Sequence, residues 1–301
     1  MPKVVFFLVP KLHLLDLAGP AQVFFTANDL GYQHDLYYVA EAAEIVTAQG
    51  VPVKAQLDWP DLGRDDLIVV PGWRSPRLSP SAPISAGTAE VLREHHATGG
   101  SVASVCSGAD ALGAAGLLDG RRYTTHHDLT DELAARYPKA TMVRDVLYVM
   151  DDRVITSAGI ASGIDLALHL VAVRCGVEAA ARVARQMVVY ARRNGEELQE
   201  SAMLRHRGHL SDLAHRVQDV IDRQYTCRLP LTELARGAGV SERTLTRIFT
   251  TATGLTPLRY QQVLRLERAE HLIGHGATVE SAARAVGFED ARMLRRLRAR
   301  D

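Results

Sequence analysis

Residues 231–250 read LTELARGAGVSERTLTRIFT, and residues 279–298 read VESAARAVGFEDARMLRRLR. Both stretches open on a short amphipathic turn, Leu231-Thr-Glu-Leu-Ala235 in the first and Val279-Glu-Ser-Ala-Ala283 in the second. Each then reaches a tight glycine-containing corner, Gly239-Val240-Ser241 and Val286-Gly287-Phe288. Beyond the corner lies a second helical stretch with basic outer positions, Glu242 to Thr251 in one copy and a run ending Leu294-Arg295-Arg296 in the other. Helix, glycine corner and basic helix make the helix-turn-helix layout, whose second helix enters the major groove of DNA. One unit reads a few base pairs. Two held rigidly read successive turns of the groove.

In the first copy Ser241 is placed to cap the second helix, and Leu245, Ile248 and Phe249 share a face that must turn to the core. Arg243, Thr246 and Arg247 then share the opposite face, within reach of base edges. Thr256-Pro257 is an N-cap followed by proline at the first helical position, and it opens a long helix through Ile273. Leu258, Leu264, Leu266, Ala269 and Leu272 are its packing residues, and the helix ties the two readers together. On one face of B-DNA the readers must lie about 34 Å apart. A helix from Ser211 to Tyr225 precedes them, with Leu213, Val217, Val220 and Ile221 on one face.

Charge is distributed to match. The 301 residues carry 35 Lys+Arg and 35 Asp+Glu, a formal net charge of zero. Residues 1–181 hold 14 Lys+Arg and 21 Asp+Glu, whereas residues 228–301 hold 13 and 8. Every basic residue after Lys139 is arginine, the side chain that forks onto guanine edges and phosphates. An acidic sensor or enzyme joined to a basic nucleic-acid module fits this asymmetry. Cys106, Cys175 and Cys227 cannot build a disulfide framework, which points to a reducing cytosol. The run Val4-Val-Phe-Phe-Leu-Val9 is too short for a membrane span and lacks a signal-peptide cleavage site, so a soluble, cytoplasmic protein without membrane contact is expected.

In the first two-thirds, apolar runs alternate with helical stretches. Strands are predicted at Val4–Val9, Leu36–Ala40, Leu67–Val70 and Val102–Val105, with helices around Ala21–Leu30 and Thr88–His96 and a β-rich run at Val53–Leu57. Runs apolar on both faces predict central parallel strands covered by helices, an α/β sandwich. Val146–Met150 and Val154–Ser157 flank Asp151-Asp152-Arg153 as a hairpin on that sheet, and helices at Ser162–Cys175 and Val177–Val188, split by Gly176, close the domain.

Ser104-Val105-Cys106-Ser107-Gly108-Ala109 is the chemically loaded spot. A strand ends, a cysteine takes the corner, and a small-residue helix runs from Ala109 to Leu118. Small residues two before and two after the corner are what a nucleophile elbow needs. Sulfur at a helix N-terminus is expected to be biased towards thiolate. A buried cysteine serving as a small hydrophobe is the alternative, and the elbow spacing weighs against it. His126 and His127 read equally as a ligand contact and as turn residues. His206, His209 and His215 have loose metal spacing without a Cys or carboxylate in register, so no metal and no cofactor are expected.

With those residues in view, Val105-Cys106-Ser-Gly-Ala, Ala115-Gly-Leu-Leu-Asp-Gly120-Arg-Arg and Thr125-His126 resemble the ThiJ/PfpI superfamily of the class I glutamine-amidotransferase-like fold. Leu15-Asp16-Leu-Ala-Gly19-Pro20, Val69-Val70-Pro71-Gly72 and the stretch Thr156 to Leu170 belong to the same pattern, which spans nearly all of residues 1–190. The resemblance implies a flavodoxin-like sandwich, Cys106 as elbow nucleophile and Asp16 as the acid facing it in isonitrile-hydratase-like members. It gives Gly72 and the Ser107 backbone as N–H donors to an oxyanion, and His126 as a pocket-wall residue. Protease-like members place His after the nucleophile, where this chain has Ser107, and no amidotransferase His-x-Glu pair follows Ser157. Hydrolysis by a Cys–His triad is therefore not expected. A Cys–Asp pocket that hydrates or holds a small molecule remains.

The block from Leu231 to Arg298 resembles the AraC/XylS family of transcriptional regulators. Its marks are Ala235, Gly239-Val-Ser241, Arg243-Thr-Leu245, Arg247 and Phe249, then Gly254-Leu-Thr-Pro257, Tyr260, Leu264-Arg-Leu-Glu-Arg-Ala269, Ala282-Ala283 and Val286-Gly-Phe288. The resemblance puts base contacts on Arg243, Thr246 and Arg247 in the first reader and on Arg292, Arg295 and Arg296 in the second. Arg298 stands in register with Phe249, where a core aromatic belongs, and the sequence ends at Asp301 before the family's closing helix. A loosely packed second reader is expected from this, gripping phosphates with Arg292, Arg295, Arg296, Arg298 and Arg300 while the first reader discriminates sequence.

The organisation read from the sequence is thus an effector-sensing domain at 1–190, a linker at 191–210 and an AraC-type DNA-binding domain at 211–301, C-terminally short. Its expected partners are double-stranded DNA, a small-molecule effector held near Cys106, a second copy of the chain and RNA polymerase. Activation is the family default, with repression left open. The rival is an isonitrile-hydratase-like lyase using Cys106 and Asp16 with a DNA-binding appendage, and a redox sensor working through Cys106 oxidation is a third reading.

Overall fold

A computed structural model describes residues 1–74, 83–189, 193–197, 199, 206–274 and 276–299. The chain forms two compact units, Met1–Gln199 and Glu200–Asp301. The change falls inside the stretch read as a linker, of which residues 191, 192, 198 and 200–205 lie outside the described residues, as does Arg300.

The first unit is built on a six-stranded sheet in the order β2-β1-β5-β6-β10-β9. These strands are β1 (Lys3–Leu8), β2 (Asp35–Ala40), β5 (Leu67–Val70), β6 (Ser101–Val105), β9 (Tyr148–Asp151) and β10 (Val154–Ser157). Two short hairpin strands, β3 (Glu44–Val46) and β4 (Pro52–Lys54), and the pair β7 (Arg122–Tyr123) and β8 (Thr141–Met142) lie outside it. Five strands run parallel and β9 is antiparallel to β10, so the expected hairpin forms the sheet edge. The parallel order is the flavodoxin-like one.

Why the sheet is covered on both faces is legible in β1. Val4, Phe6 and Leu8 enter one core, while Val5 and Phe7 enter another, and all five are buried. Leu17, Val23 and Phe24 of α1 (Leu14–Asp29) close the first core with Leu166 and Leu170 of α5 (Ser162–Cys175) and Val183 of α6 (Val177–Gln186). Leu92 of α2 (Ala86–Ala97), Leu112 of α3 (Ala109–Ala114) and Leu133 of α4 (Thr130–Arg136) close the second. A strand with a core on each side must be apolar at every position, at roughly 1.5–3 kcal/mol per buried large side chain. α1 starts seven residues before the predicted helix and runs through Pro20. α3 stops well short of Leu118, where Gly116 turns the chain at φ +74°.

Residues 193–197 and Gln199 belong to this unit. Leu147 N–H donates to the Gly195 carbonyl at 2.7 Å, and Gln199 Nε2 donates to the Thr125 and Val146 carbonyls. Arg193 grips Asp165 with Nε at 2.9 Å and Nη2 at 2.6 Å.

The second unit is helical: α7 (Asp212–Gln224), α8 (Leu231–Ala238), α9 (Glu242–Thr253), α10 (Pro257–Gly274), α11 (Val279–Ala285) and α12 (Ala291–Arg298). Ser241 and Thr278 cap α9 and α11 through side-chain bonds to Thr244 N–H and Ser281 N–H, and Asp290 caps α12. The corner at Gly239 is left-handed, φ +70°, as a glycine C-cap requires. Leu245 and Phe249 are fully buried with Ile221 and Tyr260 in the first reader's core. On α7 the buried face is Ala214, Val217, Gln218 and Ile221, with Val220 turned outward, and on α10 Leu258 is exposed rather than packed.

The expectation of a loosely packed second reader does not hold. Leu266, Ala269, Ala282, Ala283, Val286, Phe288, Leu294 and Leu297 form a closed core. Leu297, one position before the aromatic register, fills the space. Arg298 instead lies outside and pairs with Glu270 at 2.7 Å. His206, Arg207 and His209 are also tied into this unit, to the Thr253 carbonyl, to Asp219 and Asp222, and to Gln218.

Candidate functional site

At the end of β6 the chain turns at once into a 3-10 turn, Cys106–Gly108, and then into α3. Cys106 sits in the left-handed region, φ +56°. A non-glycine residue there stores about 1–3 kcal/mol of strain, which persists only where the surroundings over-determine the backbone. They do so here. A Cβ on Gly108 would stand 2.1 Å from the Val70 carbonyl oxygen, and one on Gly159 would stand 2.3 Å from Cys106 Cβ. Ser104 is fully buried. Small residues on either side therefore let the corner close, as the elbow spacing predicts. The Ser107 hydroxyl accepts the Trp73 N–H at 2.7 Å and donates to the Trp73 carbonyl at 3.0 Å, which fixes the loop after β5. Thr125 Oγ1 donates to the Cys106 carbonyl at 2.9 Å.

Asp16 faces this corner from the first turn of α1 and is fully buried. Its Oδ1 accepts the Ile160 N–H at 2.8 Å. Its Oδ2 has no hydrogen-bond partner of ordinary geometry among the described residues. Oδ2 and Cys106 Cβ both lie 2.6 Å from the point a Cβ on Gly72 would occupy, so only glycine leaves acid and thiol room to meet. The Gly72 carbonyl accepts the His13 N–H at 2.8 Å. The four contributing loops follow β1, β5, β6 and β10, at the carboxyl edge where the strand order reverses, the usual ligand position in an open α/β sheet.

Burial pushes the Asp16 carboxyl up from its ordinary value, partly opposed by the Ile160 N–H, His13, the Gly72 N–H and the Cys106 thiol. Burial likewise drives the Cys106 thiol far up, the Asp16 charge adds to it, and the Ser107 N–H opposes. The expected bias towards thiolate is thus reversed. α3 has six residues and contributes little field, while desolvation and a neighbouring carboxylate both favour the thiol. The resting pair is a protonated sulfur beside an acid that gives up its own proton reluctantly. The Gly72 N–H is directed at Asp16 and the Ser107 N–H at Cys106.

His126 follows Thr125 and is half-buried. Its Nδ1 accepts the Asp128 N–H at 3.3 Å, its ring lies 4.1 Å from that of His127, and burial pulls its pKa down. Among the described residues, His126, His127 and Asp128 bring possible ligand atoms within 4.8 Å of one another. Ile160 and Gly159 are the site residues that sequence reasoning missed. They lie in a stretch already recognised as patterned, but which backbone N–H meets a carboxylate 144 positions away is not written locally.

In the second unit α9 presents Arg243 and Arg247 to solvent with Thr246 half-exposed beside them, and α12 presents Arg292, Arg295 and Arg296. The two sets differ in pairing. Arg295 is engaged with Glu280, whereas Arg243 and Arg247, like Arg292 and Arg296, form no ion pair among the described residues.

An elbow cysteine on a flavodoxin-like sheet, followed by two helix-turn-helix units, defines a regulator class that joins a pocket-bearing domain to a DNA reader. The chain belongs to the DJ-1/PfpI family, whose model matches residues 2–173, and a helix-turn-helix domain matches residues 234–300. It carries the AraC-type domain and is a DNA-binding transcriptional regulator. The HTH-type transcriptional regulator CdhR of Pseudomonas aeruginosa is 28% identical over 94% of this chain and 84% of its own length. Isonitrile hydratase of Pseudomonas putida is 34% identical over 62% of this chain and 77% of its own length. In fold, the chain is like an AraC family transcriptional regulator from Pseudomonas putida, with a TM-score of 0.53 at 21% identity over 62% of this chain and all of that one. No described helix is long and apolar enough to cross a membrane.

Proposed function

We propose that the first domain is a sensor that holds a small polar molecule against Asp16 and Cys106, and that its occupancy sets the DNA affinity of the second. The observation that carries this reading is Asp16 Oδ2, a fully buried carboxyl oxygen that faces Gly72 and Cys106 yet has no hydrogen bond of ordinary geometry among the described residues. Buried polar atoms are nearly always paired, and leaving one unpaired costs about 1–3 kcal/mol, so a donor-bearing ligand is the natural partner. The chain acts in the cytoplasm as a homodimer that reads two operator halves and activates transcription through RNA polymerase. Arg243, Thr246 and Arg247 discriminate bases, while Arg292, Arg295 and Arg296 add affinity through phosphates. Arg295 of α12, held by Glu280 where Arg243 and Arg247 form no ion pair among the described residues, favours that division at this one position.

A lyase of the isonitrile-hydratase kind is the second reading, favoured by the same Asp16–Cys106 pair and by 34% identity to that enzyme. Melting of the full chain with a panel of small amines, amides and isonitriles, followed by turnover assays on any hit, separates the two. A sensor gains melting temperature without turnover, and Cys106→Ser keeps the DNA response. Loss of turnover in that variant establishes the lyase.

A further inference from the structure

α10 feeds two separate cores. Tyr260 and Leu264 belong to the first reader's core, and Leu266 and Ala269 to the second's. Arg265 lies between these pairs. Its Nε donates to the Tyr225 carbonyl at 2.6 Å and its Nη2 to the Cys227 carbonyl at 2.8 Å. Its Nη1 donates to the Gly287 carbonyl at 2.8 Å, and its Cζ stands 5.5 Å from the centre of the Phe288 ring. Residues 225–227 lead from α7 into the first reader, and Gly287 is the corner of the second. One planar guanidinium thus joins the backbones of both. Gln261 Nε2 reinforces the first side, donating to the Tyr225 and Cys227 carbonyls at 2.9 and 2.8 Å. From the other side Gly287, φ +86°, comes so close that a Cβ there would lie 1.9 Å from the Thr226 carbonyl oxygen. Tyr225 packs against both cores.

We propose that Arg265 and Gly287 form a joint that fixes the distance and angle between the two readers, making Arg265 a specificity-determining residue that touches no base. Inserting one base pair between two recognition elements moves the second by about 3.4 Å and turns it by about 34°. A pair of readers on a hinge follows that change, whereas a pair locked by three backbone hydrogen bonds from one rigid fork does not. Lysine cannot replace the fork, because an ammonium lacks its planar spread of donors. The inference rests on the reading that both helix-turn-helix readers engage DNA.

The test uses the full chain. Selection from a pool of randomised duplex DNA yields the recognition elements, and a series of duplexes then places them at the selected spacing and at one and two base pairs either side. The wild type is expected to lose about tenfold in affinity, 1.4 kcal/mol, for a one-base-pair change. Arg265→Ala and Arg265→Lys are expected to lose less than about threefold while binding a single isolated element within about twofold of wild type. Gly287→Ala, which pushes on the joint without removing the arginine, is expected to move the preferred spacing, and it carries the test if the arginine variants do not fold. Arginine variants that keep the tenfold penalty, or that lose single-element and paired binding equally, overturn the proposal. If the wild type selects no paired elements, the two-reader reading itself falls.

Discussion

Asp16 and Cys106 meet across Gly72 with both acids held above their ordinary range, so the native fold retains protons that the unfolded chain releases. For Asp16 the contribution to stability is complete below the ordinary carboxyl value of 3.8 and is lost as pH rises through the raised native value. Asp16→Asn abolishes this titration while keeping an acceptor for the Ile160 N–H. Urea unfolding at pH 4 and pH 7 is expected to show the wild type losing stability relative to the variant at the higher pH. A variant that matches wild type at pH 4 and is weaker at pH 7 contradicts the assignment.

Thiol reactivity follows from the same pair. Cys227 is exposed, Cys175 half-buried and Cys106 buried beside a carboxylate, so alkylation by iodoacetamide at neutral pH is expected in that order. Asp16→Asn removes the charge that opposes thiolate formation and should speed Cys106 labelling, with burial still limiting it. Mass-spectrometric mapping reads the order directly. Cys106 labelling ahead of Cys227 would show an activated thiolate and revive the redox-sensor reading.

Asp165 ties residues 193–197 to the sheet domain. It is buried, its Oδ2 takes two bonds from Arg193, and its Oδ1 accepts the Arg193 N–H at 3.0 Å. Removing one partner of a buried pair leaves the other charge stranded. Arg193→Ala is expected to cost about 3 kcal/mol, the low end of that range, because the arginine keeps part of its side chain in water. Chemical unfolding checks this, and a cost below about 1 kcal/mol would make the contact an ordinary surface pair.

In the second reader the load falls on Leu297 and not on Arg298. Leu297→Ala should cost about 2–5 kcal/mol of that unit's stability, whereas Arg298→Ala, an exposed pair with Glu270, should cost under about 1 kcal/mol. Thermal unfolding of both variants measures the contrast. Equal losses would place Arg298 inside the core.

The sheet was readable because a strand buried on both faces leaves an unbroken apolar run, and β5 and β10 match the predicted Leu67–Val70 and Val154–Ser157. The readers were readable because capping serine, glycine corner and helical spacing are all local. What escaped was non-local or energetic. Leu258 has the right spacing on α10 but is exposed, and Leu297 replaces an aromatic by a one-position shift that periodicity does not rank. The protonation of Cys106 depends on how deep the corner lies, and no helix-end argument contains that depth. Arg265 falls in the quoted run Leu264–Ala269, but its joining role is not legible there, since its three carbonyl partners come from segments 22 to 40 positions away.

The most direct measurement is selection of source-genome fragments by the purified full chain at several salt concentrations, with Arg247→Ala alongside. The account predicts discrete sites that survive moderate salt and that the variant loses, since one bidentate arginine–guanine contact is worth about 1–3 kcal/mol of discrimination. Binding that is weak, uniform across sequences and governed only by salt, with Arg247→Ala no worse than wild type, would contradict it.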